Sequence, residues 1–234
     1  MRIKSFSGLL LILASTVTLN SCTSNEIGGS SDVDPETIYF DYKLWGEEGN
    51  EDVTLLLQYR FGGKNGTTLV LDEPAKVELD GVEIEADSSN MTGAFYEVIK
   101  PVKDFTGKHV IVFTGSDKKE YKEEFSFHPI SLRTNIPETI QRDNLVFELE
   151  GLEPLDYVRI LITDTVFASE GINRVDTVRN GRVIVSRSDL ENLVDGPVHM
   201  ELYKEEERLL KDATREGGRF SISYGVKRDF ILAD

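Results

Sequence analysis

The chain is poor in the residues that build disulfide, metal and nucleophilic sites. Its 234 residues contain one cysteine, Cys22, and three histidines. A single cysteine excludes an internal disulfide framework. His109, His128 and His199 lack the H-x-x-x-H or H-x-H spacing of a metal site, and the sequence has neither a G-x-S-x-G elbow nor a P-loop. The sequence therefore predicts no catalytic residue, no metal and no cofactor.

Long hydrophobic runs are also missing. Residues 9–14 form an aliphatic run that is far shorter than the roughly 20 residues of a membrane-spanning helix. The run follows Arg2 and Lys4 and precedes small and hydroxyl residues that end at Cys22, which is the layout of a secretory signal. We expect residues 1–21 to be a signal peptide and the protein to be exported.

The only cysteine directly follows this signal. Residues 19–22, Leu-Asn-Ser-Cys, resemble a bacterial lipobox, although Asn20 departs from the commoner small residue at its position. The resemblance implies cleavage before Cys22 and acylation of its thiol and new α-amine. Two or more acyl chains hold a protein stably at a membrane, whereas one holds it only marginally. We therefore expect Cys22 to anchor an outer-membrane lipoprotein of the bacterial envelope, the alternative being a free thiol.

Positive charge is scarce. The sequence has 42 acidic residues against 26 lysines and arginines, and loss of Arg2 and Lys4 with the signal takes the formal charge from −16 to −18. Such a body is repelled by nucleic-acid phosphates and by anionic lipid headgroups. Nucleic acid is therefore excluded as a partner.

Residues 22–35 are rich in glycine, serine and acids and have no hydrophobic periodicity, which predicts a flexible tether. A random coil of this length spans about 20 Å, more than the ~8 Å screening length at physiological salt. We expect the tether to hold the acidic body clear of the bilayer. Its acids loosely resemble the stretch that marks surface-exposed lipoproteins in Bacteroidetes, the alternative being an ordinary polar linker.

From residue 37 onward the hydrophobic period is two, which indicates strands with one buried face. The alternating runs cover residues 38–44, 53–61, 145–149, 198–202 and 220–224. Turn pairs that favour two-residue hairpins occur at Asn65-Gly66, Asp80-Gly81 and Asn180-Gly181. Residues 203–218 fit either a hairpin with an acidic tip, which we favour, or a helix. Residues 186–193 predict a short helical turn with Ser188 as its cap.

This pattern predicts an all-β fold of two tandem antiparallel, immunoglobulin-like β-sandwich domains, residues 36–128 and 129–234, which meet near His128-Pro129. The layout resembles the tandem immunoglobulin-like or fibronectin-like surface lipoproteins common in Bacteroidetes. The resemblance rests on the lipobox, the domain length and the hairpin spacing, and it supplies no catalytic or ligand motif.

Three candidate sites remain on the surface. Parity places Tyr39 and Trp45 on the polar face of their strand, where they could form a glycan platform, although we favour a Trp45 buried in the core or in the domain interface. Thr165 and Thr177 each lie in an Asp-Thr-Val triplet that resembles the O-glycosylation sequon of exported Bacteroidetes proteins. The acids of residues 47–52 fit a solvated loop better than a calcium site.

The sequence favours a lipid-anchored, non-enzymatic binding, adhesion or assembly module of the bacterial envelope. The partners expected are the membrane, through the acylated cysteine, and envelope proteins or polysaccharide. The alternative is a glycan-capturing accessory lipoprotein of a polysaccharide-uptake system, with Tyr39 and Trp45 at its site. A hydrolase built on loops of the second domain ranks last, because no nucleophile is paired with a base.

The lipobox gives the first testable prediction. Cys22→Ser removes the thiol that would be acylated, so the variant should remain an unprocessed precursor that no longer partitions into detergent. Metabolic labelling with a clickable fatty acid measures this directly. Undiminished label on the serine variant would contradict the anchor.

Overall fold

The computed structural model describes residues 27–89, 92–167 and 169–234, so that Cys22 and residues 22–26 of the predicted tether lie outside the described residues. The described residues are built mainly from strands, with two short helices, α1 (Val102–Phe105) and α2 (Arg187–Leu190), and two 3-10 turns at Ser30–Asp32 and Pro35–Thr37. In chain order the strands are β1 (Ile27–Gly29), β2 (Ile38–Glu47), β3 (Asp52–Phe61), β4 (Thr67–Val70), β5 (Lys76–Leu79), β6 (Val82–Glu83), β7 (Ala86–Ser89), β8 (Gly93–Pro101), β9 (Gly107–Thr114), β10 (Glu120–Phe127), β11 (Ser131–Leu132), β12 (Thr139–Gln141), β13 (Leu145–Glu150), β14 (Tyr157–Asp164), β15 (Ile172–Thr177), β16 (Arg182–Val185), β17 (Gly196–Leu209) and β18 (Gly218–Ala233).

One long sheet extends through the whole described structure. It has eleven strands, with β1-β4-β3-β2-β18-β17-β14-β15 side by side, β8 and β7 added at β3, and β12 added at β18. A four-stranded sheet, β10-β9-β5-β6, and a three-stranded sheet, β11-β13-β16, complete the fold. The all-β sandwich prediction is confirmed. The main sheet is mixed rather than purely antiparallel, because β1 with β4, β2 with β18 and β12 with β18 pair in parallel.

Each smaller sheet packs against one end of the main sheet. We call the four-stranded sheet, together with the part of the main sheet that it covers, the first lobe, and the three-stranded sheet with the part that it covers the second lobe. In the first lobe, Phe113 of β9 contacts Phe40 of β2 with ring centroids 4.8 Å apart. In the second lobe, the inward residues Phe147 and Val183 of the three-stranded sheet share a buried cluster with Ile160 of β14. Alternate residues of each strand supply these contacts, as the period of two predicts.

The β17–β18 hairpin joins the two lobes. The prediction of a hairpin over residues 203–218 is confirmed, and its strands are 14 and 16 residues long. Its loop, residues 210–217, is not acidic as predicted, because it carries two basic and two acidic residues. Val198–Tyr203 of β17 pair with β14, whereas Gly218–Gly225 of β18 pair in parallel with Phe40–Glu47 of β2. Residues 204–225 therefore belong to the first lobe, and one buried cluster runs from Ile38 to Leu232. The observed arrangement thus differs from two separate sandwiches divided at residue 128.

The beginning of the described chain differs from the predicted tether. β1 pairs in parallel with β4, and Ser31 donates hydrogen bonds from its backbone N and its Oγ to Asp72 Oδ2 at 3.0 and 2.9 Å. Glycine makes this possible, because a Cβ on Gly28 would meet Leu69 Cδ2 at 3.0 Å and one on Gly29 would meet Asp72 at 2.6 Å. The composition that indicated a linker instead allows close backbone packing.

Local turn chemistry was predicted with mixed success. Asp80-Gly81 and Asn180-Gly181 have the positive φ values of two-residue hairpins, and Leu79 opposes Val82 as expected. The prediction at Asn65-Gly66 is wrong, because a five-residue loop, 62–66, takes its positive φ values at Gly62 and Gly63 instead. The cap of α2 is Ser186 rather than Ser188, since Ser186 and Asp189 form a capping box. Within the described residues, none of the helices is both long and apolar enough to cross a membrane.

The shared hairpin gives the second prediction. Phe220 of β18 is fully buried, with its ring 4.9 Å from Phe125 and 6.1 Å from Tyr42. Phe220→Ala should lower the free energy of unfolding by about 3–5 kcal/mol, because it leaves a cavity between the sheets. Leu209→Ala on the same hairpin is the control, since Leu209 is 77% exposed, and should change stability by less than about 0.5 kcal/mol. Urea unfolding followed by circular dichroism measures both. Equal unfolding midpoints for the two variants would contradict the packing role of the hairpin.

Candidate functional site

The outer face of the main sheet runs across both lobes, opposite the faces that the smaller sheets cover. On β2 the predicted parity is confirmed: Ile38, Phe40, Tyr42 and Leu44 are buried inside the sandwich. Tyr39, Asp41, Lys43 and Trp45 alternate with them and therefore lie on the outer face.

Trp45 is not in the core. Its side chain is 41% exposed, so the expectation that we favoured from the sequence is wrong. Trp45 is flanked by Thr54 of β3 and Ser223 of β18, whose small side chains leave its ring open to solvent. Alternation predicts the face of a residue correctly, but it cannot tell whether another layer covers that face.

Tyr39 and Trp45 share the outer face without forming one site. Six residues of strand separate them by about 20 Å. Between them lies Asp41, which is buried and accepts a 2.9 Å hydrogen bond from Arg219 Nε. This ion pair fills the space that a continuous aromatic platform would need.

The partner of Trp45 in the structure is Tyr203 of β17. Together with neighbouring polar residues they line an open cavity of about 430 Å³, which we call the aromatic groove. Its lining consists of Trp45, Gly46, Glu47, Asn50, Asp52, Thr54, Tyr203 and Ser223. Volumes of this order are typical of small-ligand sites.

Glycine again shapes this arrangement. Tyr203 lies opposite Gly225 of β18, and a Cβ on Gly225 would stand only 2.4 Å from Tyr203 Cε1. The Tyr203 ring therefore lies against bare backbone beside the groove, which a side chain at position 225 would prevent. The one sequence signal for this contact was a glycine within an alternating strand, which often marks a close approach.

Ion pairs hold the side of the groove in place. Lys227 Nζ lies 2.8 Å from Glu47 Oε2, and this hydrogen bond raises the pKa of Lys227 above its ordinary value. Burial and the hydrogen bond to Glu201 raise the pKa of Tyr203 above its ordinary value. Asn50 and Asp52 are exposed on the rim. The groove therefore offers two ring surfaces beside hydrogen-bond donors and acceptors.

The acids of residues 47–52 serve the junction between the lobes. Besides the Glu47 pair, Glu48 Oε2 lies 2.6 Å from Arg228 Nη2, and Glu48 Oε1 accepts a hydrogen bond from the backbone N of Leu132 at 3.3 Å. In the part of the chain that the structure describes, no cluster of three or more histidine, cysteine or acidic residues is arranged to hold a metal ion.

Two of the three histidines are held between acceptors. His109 contacts Asp80 Oδ2 at 2.7 Å and the carbonyl oxygen of Phe105 at 2.8 Å. His199 contacts Asp229 Oδ1 at 2.6 Å and Glu201 Oε1 at 2.9 Å. The hydrogen bonds to Asp229 and Glu201 raise the pKa of His199 above its ordinary value.

The two candidate glycosylation sites differ in exposure. Thr165 is exposed in the turn after β14, beside a cavity of about 360 Å³ that His199 and Asp229 also line. Thr177 is half-buried at the end of β15, opposite Tyr157. Both remain predictions.

A larger cavity of about 700 Å³ lies elsewhere, between the open edges of β10 and β17. Its walls carry side chains of both signs that largely pair with one another, such as Asp80 with His109 and Arg208 with Glu206. The aromatic groove is the better candidate, because it presents exposed ring faces.

No protein-family model matches the chain, and no curated protein matches it. Among solved structures it is similar to the two immunoglobulin domains of DIP-gamma, at 11% identity over 80% of this chain and 94% of that one, with a TM-score of 0.23. It is also similar to murine CEACAM1b, at 10% identity over 84% and 98%, with a TM-score of 0.19. A third similarity is to SGBP-B of the Bacteroides ovatus mixed-linkage glucan utilization locus, in complex with a mixed-linkage heptasaccharide, at 10% identity over 81% and 60%, with a TM-score of 0.18.

The third prediction concerns His199. Asp229→Asn removes one acceptor and should lower the pKa of His199 toward the ~6.5 of free imidazole. Because the folded pKa is raised, the pair stabilises the fold fully below the unfolded pKa, and this contribution is lost as the pH rises through the folded pKa. The native chain should therefore lose its stability advantage over Asp229→Asn as the pH rises through the folded pKa of His199.

NMR titration of the imidazole C–H signals measures the pKa. Asp80→Asn, which alters the partner of His109 instead, is the control and should leave the pKa of His199 unchanged. An unaltered His199 titration in Asp229→Asn would contradict the pairing.

Proposed function

We propose that this protein is a lipid-anchored, non-enzymatic binding module of the bacterial outer membrane, and that it captures saccharides in the aromatic groove. The observation that carries the proposal is the exposed ring of Trp45 beside Tyr203 in a polar setting. An indole on an outer sheet face contributes little to folding, so its exposure there favours a role in recognition.

The chemistry of the groove suits a sugar ring. A pyranose presents C–H groups on its faces and hydroxyls around its edge. Aromatic faces remove such C–H groups from water and attract them through the negative π-cloud. The hydroxyls and carboxylates of Thr54, Ser223 and Asp52 can exchange hydrogen bonds with the sugar hydroxyls.

Charge narrows the class of saccharide. The mature chain carries a formal charge of −18, and Asp52 is exposed on the rim of the groove. An anionic polysaccharide would meet like charge at the site and over the whole body. The proposed ligand is therefore a neutral glycan, bound from solution at the cell surface.

A second candidate, adhesion to an envelope protein, is favoured by a different surface. On the outer face of the second lobe, Tyr157 and Val175 are exposed on β14 and on the edge strand β15. Apolar side chains beside an unpaired strand edge can add a partner strand. The two candidates occupy separate surfaces and can be tested together.

The fourth prediction compares these surfaces by affinity gel electrophoresis in neutral polysaccharides. Trp45→Ala and Tyr203→Ala should lose the retardation of the native chain, because each removes one aromatic wall. Tyr157→Ala is the matched control, an exposed outer-face tyrosine of the second lobe, and should keep it.

Melting temperatures show whether a loss is specific, and that of Trp45→Ala should stay close to that of the native chain. Full retardation of both groove variants would contradict the glycan site. Loss of a protein partner in Tyr157→Ala alone would favour adhesion, and turnover of any glycoside, ester or peptide would contradict a non-enzymatic module.

A further inference from the structure

The described chain begins at one end of the first lobe. β1 pairs in parallel with β4, and its first residue, Ile27, lies beside Thr68. β4 starts directly after the loop 62–66 that closes the β3–β4 hairpin. Ile27, the first described residue, therefore lies next to this loop.

Three other segments meet the chain at this end. Glu36 connects them: its Oε1 accepts a hydrogen bond from Lys119 Nζ at 2.7 Å, and its Oε2 accepts one from the backbone N of Arg215 at 3.0 Å. The loop of the long hairpin also reaches the β3–β4 loop, since a Cβ on Gly63 would lie 3.3 Å from Glu216 Oε1. We call this end the tip. It consists of Ile27 and residues 34–36, 61–67, 115–119 and 210–217.

The tip differs from the rest of the molecule in charge. Its segments contain five cationic residues and five anionic ones, so the whole net charge of −18 resides elsewhere in the mature chain. Two apolar side chains project from it, with Ile27 45% and Phe61 46% exposed. Lys64 is exposed in the glycine-rich loop that follows Phe61.

We propose that the tip is a membrane-contact surface, which rests on the lipid headgroups with Phe61 and Ile27 in the interface. The inference depends on the proposed anchor at Cys22. Five residue steps separate Cys22 from Ile27, so the acylated residue lies at most about 18 Å from the tip even when fully extended. Apolar side chains of interfacial proteins enter about 5–10 Å into the boundary between headgroups and acyl chains.

Electrostatics favours contact with the membrane through this end. An acidic face held within a screening length of the headgroups would be repelled by anionic lipid, whereas the balanced charges of the tip are not. The sixteen residues of β18 start at the tip and run about 50 Å to the end of the second lobe. The second lobe would then project into solvent, and the aromatic groove would stand about 20 Å or more above the tip.

The fifth prediction places a single tryptophan at each end. The acylated chain, in a Trp45→Phe background, is reconstituted into vesicles of phosphatidylcholine with brominated acyl chains. Phe61→Trp should lose fluorescence relative to unbrominated vesicles. Ile184→Trp, an exposed position of the second lobe, is the matched control and should keep its fluorescence, as should Trp45 in the native chain.

Flotation of the vesicles distinguishes a failure of the tip proposal from a failure of the anchor. Quenching at position 61 but not at position 184 supports the proposal. A chain that floats with equal quenching at both positions, or with none at either, contradicts the tip and leaves the anchor intact. A chain that does not float contradicts the anchor, and the tip proposal fails with it.

Discussion

The parallel pairing of β18 with β2 is the contact on which the rest of the structure depends. It places Gly218–Gly225 beside Phe40–Glu47 and sets Phe220 into the aromatic core of the first lobe. Backbone contact is close, since a Cβ on Gly218 would meet the carbonyl oxygen of Phe40 at 2.7 Å. Without this pairing the two lobes would have no common sheet, and Tyr203 would not lie near Trp45.

The same pairing creates an open edge that the molecule protects with charge. β10 and residues 204–209 of β17 face each other across the sandwich without a further strand between them. Glu123 points inward from β10 and pairs with Arg208 of β17, whose guanidinium also lies over the Phe220 ring. Inward charges on edge strands disfavour pairing with another chain. They also fasten the hairpin to the opposite sheet.

The sequence predicted local features well and long-range ones poorly. The period of two assigned the buried and outer faces of β2 correctly, and Asp80-Gly81 fixed its hairpin, because both depend on neighbouring residues. Trp45 and Tyr203 are brought together by a strand pairing that spans more than half of the chain, for which alternation has no signal. The Gly28-Gly29 pair was interpreted as a linker, since composition alone cannot distinguish a flexible glycine from one that packs closely.

The position of β18 in the chain has a consequence for biogenesis. The strand that completes the first lobe lies far from β2 in the sequence, so β2 has an unpaired edge until Gly218–Gly225 have been synthesised. Contacts between such distant residues form slowly, and an exposed strand edge invites association with other chains in the meantime. The first lobe is therefore synthesised first but completed last, and the open edge of β2 needs protection in the nascent chain.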